Sequence, residues 1–106
     1  MRIILFQGGA RGELVSLPGE RPEAELAELL EGEAEMTHLS RRYILVTRKD
    51  GEENRLTIRY SLHRLGREPE PIAGDCAVVV ASPEGHLRDA GPGDLKTALS
   101  YIGEVG

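Results

Sequence analysis

The chain has 106 residues, 40% of them hydrophobic, and a formal net charge of −5. That length predicts one domain over residues 1–106, and no apolar run nears the roughly 18 residues of a membrane-crossing helix. The apolar run at residues 3–6 is too short for a signal peptide, so a cytoplasmic protein with no membrane partner is expected.

Residues 2–6 are rich in Ile, Leu and Phe and predict a buried strand. Gly8, Gly9 and Gly12 supply a reversing turn, and residues 13–17 predict the returning strand of an N-terminal hairpin. From Pro22 the chain is made of helix formers. Leu26, Leu29 and Leu30 share one face, Glu25, Glu28 and Glu31 lie elsewhere, and Gly32 stands where a helix stop belongs. Residues 34–39 predict a short strand and residues 43–47 a strong one. Lys49-Asp50-Gly51 opens a polar turn. Beyond it, Leu56, Ile58, Tyr60 and Leu62 alternate with Arg55, Thr57, Arg59, Ser61 and His63, the pattern of a strand with one buried and one wet face. Residues 66–71 read as a polar loop. Residues 76–81 are continuous and apolar, as in a central strand. They include the only cysteine, Cys76, which excludes an internal disulfide and reads as core. Pro92-Gly93-Asp94 leads into a second helix striped by Leu95, Ala98, Leu99 and Ile102. The order β-β-α-β-β-β-β-α predicts an α+β fold, a mostly antiparallel β-sheet with two amphipathic helices packed on it.

Little in this chain reads as catalytic. The stretch Gly8-Gly9-Ala10-Arg11-Gly12 runs into a strand, whereas a phosphate loop needs a helix N-terminus behind it. Gly91-Pro92-Gly93-Asp94-Leu95-Lys96-Thr97 does precede a helix, but Leu95 occupies the place of the glycine that should stand before the lysine. His38, His63 and His86 are isolated, without a second ligand at metal-binding spacing. Glu25, Glu28 and Glu31 lie on the polar side of a helix, where nothing desolvates them. The expectation is no enzyme, no cofactor and no metal.

Charge is the informative feature. Residues 1–40 carry three Arg against eight Glu, and residues 68–106 two cations against seven acidic groups. Residues 41–67 reverse this, with eight Lys and Arg against three Asp and Glu. Arg41, Arg42, Arg48 and Lys49 fall on or beside one predicted strand, and Arg55, Arg59, His63 and Arg64 on the next. If the two strands pair through the Asp50-Gly51 turn, a basic sheet face results. Arg42, Arg48, Arg55, Arg59 and His63 are its candidate partner-binding residues. The competing reading is a solvated face whose arginines pair with the Glu-rich helix. Aromatic residues are few, so a base-stacking platform is not expected.

Several short features recur together: the opening strand, the helix ending Leu29-Leu30-Glu31-Gly32, and the turn Lys49-Asp50-Gly51. Ile72-Ala73-Gly74-Asp75 before an apolar strand and a closing amphipathic helix complete the set. In these the chain resembles an uncharacterised domain-of-unknown-function family (number thirty-eight forty-six) of phages, plasmids and other mobile elements of gut bacteria. The resemblance implies a genomic setting, the accessory genes of mobile elements. Taken with the small size, the absence of catalytic signatures and the polarised charge, it leads to the expectation of a non-enzymatic accessory protein that binds and inhibits a host nucleoprotein or defence system, such as a CRISPR effector or a restriction nuclease. Two alternatives stay open: a nucleic-acid-binding regulator using the basic strand face, and an oligomeric sponge for an anionic nucleotide, which would make the chain a homo-oligomer.

Overall fold

The computed structural model describes residues 1–19, 22–50 and 56–105. It has the α+β architecture expected, with every strand pairing antiparallel. The strands are β1 (Arg2–Phe6), β2 (Glu13–Ser16), β3 (Ala34–His38), β4 (Tyr43–Arg48), β5 (Ile58–Leu62), β6 (Glu70–Ala73), β7 (Cys76–Ala81), β8 (Leu87–Arg88) and β9 (Ile102–Glu104). The helices are α1 (Pro22–Leu29) and α2 (Pro92–Tyr101).

A six-stranded sheet runs β2-β1-β7-β4-β3, with β8 added beside β7. Its middle strands β1, β7 and β4 are the continuous apolar runs, because a strand with neighbours on both edges and cover on both faces can leave no polar side chain in its path. On one face, Ile3, Leu5, Ile44, Val46, Ala77 and Val79 pack beneath Leu26 of α1 and Leu30 just beyond its end. On the other, Phe6, Leu45, Val78 and Val80 meet a second layer made of α2 and a three-stranded sheet, β6-β5-β9. Phe6 and Tyr60 tie the two sheets edge to face, ring centres 5.5 Å apart. The Tyr60 hydroxyl donates to Ala10 O at 2.7 Å, securing the β1–β2 turn as well.

The structure corrects the sequence reading at five places. First, β4 and β5 do not pair. β4 lies between β3 and β7, and β5 lies between β6 and β9 in the other sheet. The physical reason is burial: β4 needs a partner apolar on both faces, which β7 is and the half-polar β5 is not. Second, the loop expected at residues 66–71 is a strand from Glu70 on, since Ile72 is buried opposite Tyr60. Third, Ile102 closes no helical stripe; it opens β9 opposite Leu62. Fourth, the register of β5 shifts between Ile58 and Tyr60, so Ile58 is 48% exposed and the buried face starts at Tyr60. Fifth, the left-handed residue that ends α1 is Glu31, at φ 58°, and not Gly32. Glu31 N–H donates to Glu28 O and Gly32 N–H to Ala27 O, the Schellman arrangement. At Gly32 a Cβ would meet Arg48 Nε at 2.5 Å, so any larger residue there would shift the Arg48 side chain.

Candidate anion-binding clefts

The second sheet stops one strand short of covering the first. β6 lies over β4, and the face of β3 beyond it is left open as a cleft of about 570 Å³. Its floor follows from register. Glu35 lies opposite Thr47 and Thr37 opposite Leu45, so alternation along β3 and β4 turns these four side chains to the same side. Leu62 and Ile72 form the wall, and Arg48, Lys49 and Arg64 add the cations.

Arg64 follows β5 at the start of a tight turn in which its carbonyl accepts from Arg67 N–H at 3.1 Å and Gly66 takes φ +77°. The turn brings Glu70 back beside it, and Arg64 Nη2 donates to Glu70 Oε2 at 2.6 Å. The Arg64 side chain is only 20% exposed, and its Nε is buried with no hydrogen-bond partner. Arg48 ends β4 beside Gly32, just past the last turn of α1. That helix has no basic residue in its own last turn, so the guanidinium also faces the negative end of the helix dipole. Its Nε donates to Asp50 Oδ1 at 2.7 Å, and the side chain is 18% exposed. Among the described residues, neither Arg48 Nη group has a partner.

A second, smaller cleft of about 260 Å³ lies at the end of the large sheet where β1, α1 and β4 finish. Arg48 lines it too, together with Arg59, Leu29, Leu30 and Leu56. Arg59 takes part in no ion pair among the described residues. Arg48 is thus the wall shared by both clefts.

The five expected partner-binding residues are not gathered on one face. Arg48 and Arg59 meet at the smaller cleft. Arg42 precedes the opposite end of β4, about 20 Å from Arg48 at the rise of an extended strand, where its carbonyl accepts from Ala81 N–H. His63 is exposed beyond β5, against Gly103, with its N–H donating to Tyr101 O at 2.7 Å. Arg55 lies outside the described residues. Arg64 belonged to the basic stretch but not to that set, and with Arg48 it is one of two largely enclosed arginines of the larger cleft. Thr37 and Thr47 carried a signal only in the alternation of their strands.

A buried polar group elsewhere has a different character. Asp94, in the first turn of α2, accepts from the Tyr43 hydroxyl at 2.8 Å, from Gly91 N–H at 2.8 Å, and from both Arg88 Nη groups at 3.2 Å. Burial alone would raise the Asp94 carboxyl, but Gly91, Tyr43 and Arg88 together hold it below its usual range. Tyr43 is raised, by burial first and by Asp94 second. Burial pushes Tyr60 up to about 12. Burial, with the Asp75 charge beside it, pushes the Cys76 thiol up to about 12, so Cys76 is a neutral core side chain at physiological pH. His38, His63 and His86 stand on separate segments, and among the described residues no three His, Cys, Asp or Glu side chains form a metal-binding group. No helix among them is long and apolar enough to cross a membrane.

Comparison with protein-family models, with curated proteins and with solved structures finds no match for this chain.

Proposed function

We propose that this chain is a binding protein without catalytic chemistry, and that its larger cleft receives a small organic anion the size of a nucleotide. The observation that carries this reading is the state of the two guanidiniums. Arg48 and Arg64 each give one donor to a carboxylate, line the same cleft and keep further N–H groups without a partner among the described residues. A planar guanidinium matches phosphate and carboxylate in a two-point hydrogen bond, strongest where water is partly excluded. The cleft volume falls within the range of ordinary ligand sites. Leu45, Leu62 and Ile72 offer an apolar ledge for the body of the ligand, while Thr37 and Thr47 supply hydroxyls. Of the readings drawn from the sequence, this geometry favours the anionic nucleotide over a duplex laid on a flat basic face.

Calorimetric titration with a panel of nucleoside monophosphates tests it. Saturable binding that weakens with salt, and that is weakened by about tenfold or more in the Arg64→Ala and Arg48→Ala proteins, is expected. Binding unchanged in both variants, or absent at low ionic strength, would overturn it.

A second reading keeps the host-inhibitor proposal. Glu23, Glu28, Glu31, Glu33 and Glu35 are all exposed along α1, the turn after it and β3. This acidic surface suits a basic nucleic-acid channel of a partner protein. A purified nuclease effector whose DNA binding is indifferent to the chain, and to a variant with Glu23, Glu28 and Glu33 changed to Gln, would count against it.

A further inference from the structure

We infer that the two clefts act together and that the ligand is a dinucleotide, with its internucleotide phosphate held at Arg48 and one nucleoside in each cleft. The inference rests on the reading of the larger cleft as an anion site and extends it to the smaller one.

Three observations carry it. Both clefts combine an arginine, an apolar ledge and carboxylates: Arg64 with Leu45, Leu62, Ile72, Glu35 and Glu70 in one, and Arg59 with Leu29, Leu30, Leu56, Glu31 and Asp75 in the other. Such a lining suits a neutral nucleoside on either side of Arg48. The residue lining both is a cation whose Nη groups have no partner among the described residues. A negative charge at the midpoint of a ligand spanning both clefts is therefore matched, and a neutral linker would leave Arg48 unanswered. Finally, the smaller cleft, at about 260 Å³, falls below the volume at which sites hold a ligand alone, roughly 300 Å³ and above. It suits an annex to its neighbour better than a separate site. A side chain at Gly32 would displace Arg48 from its present position between the clefts.

The test is calorimetry with two probes, AMP and the linear 5′-phosphorylated dinucleotide pApA, on the wild-type chain and on the Arg59→Ala and Arg64→Ala variants. Arg59 is exposed, so its replacement leaves the core untouched. Expected is pApA binding at least about tenfold tighter than AMP, because the second nucleoside binds as a tethered group. Arg59→Ala should erase that gap while leaving AMP unchanged, and Arg64→Ala should weaken both probes. AMP binding with no gain for pApA, or a gain that survives Arg59→Ala, would overturn the dinucleotide and leave the larger cleft as an anion site. Failure of both probes to bind would remove both readings.

Discussion

Among the described residues, two regions set arginine against carboxylate, and they end differently. At the foot of α2, Asp94 meets the Arg88 fork, the Tyr43 hydroxyl and Gly91 N–H, so both its oxygens are occupied. At the open face of β3, Arg64 and Arg48 each give a single donor to Glu70 and Asp50. Within the first cluster the polar groups answer one another, and the result anchors a helix to the large sheet. In the second the carboxylates orient the guanidiniums without saturating them. The same pairing therefore serves as a structural joint in one region and as a prepared binding surface in the other.

Breaking the closed cluster should produce the largest effect. Asp94→Ala leaves the Tyr43 hydroxyl unpaired in a buried site and removes the acceptor for Gly91 N–H, for a loss of about 3 kcal/mol. The midpoint of urea unfolding at constant slope measures it. Arg64→Ala should separate the two regions. Its bridge to the half-exposed Glu70 contributes less than about 1 kcal/mol to stability. Loss of a charge-assisted hydrogen bond to ligand should still weaken nucleotide binding by about tenfold or more. Glu31→Gly relieves a left-handed non-glycine residue and should stabilise the chain by about 1 kcal/mol, read as a rise in thermal midpoint. The pH response gives the smallest signal and has a definite sign. The Asp94 carboxyl is depressed in the folded state, so its contribution is complete above the unfolded carboxylate value, about 3.9. It fades as pH falls through the lower folded value. Asp94→Asn should thus lose stability less steeply than wild type below about pH 4, as followed by acid unfolding.

The contrast between the regions also explains what could be read from the amino acids. β1, β4 and β7 are legible because strands buried on both faces admit only apolar side chains. Helix α1 is legible because Leu26, Leu29 and Leu30 keep the helical period between Pro22 and Gly32. β6, β8 and β9 are two to four residues long and at or near sheet margins, and Glu70-Pro71 has the composition of a loop. Nothing local marks them, since each exists only through its partner: Ile72 through Tyr60, Ile102 through Leu62. The clefts were hidden by a single pairing. Asp50-Gly51 reads in the sequence as a hairpin turn between neighbouring strands; the turn itself lies outside the described residues from Gly51 on, but β4 and β5 belong to different sheets. That separation leaves β5 no shared face with β4 and places Arg64 and Arg48 across the same cleft, while the length of β4 alone keeps Arg42 from Arg48.

The most direct test of the account is a nitrogen-15 NMR titration of the arginine Nε–H resonances with AMP at low ionic strength. Saturable shifts are predicted at Arg48 and Arg64, with Arg88 unmoved in its closed cluster and Arg42 unmoved at the far end of β4. Shifts spread evenly over all the arginines, or a response at Arg42 with Arg48 and Arg64 silent, would contradict the claim that the open face of β3 is a binding site.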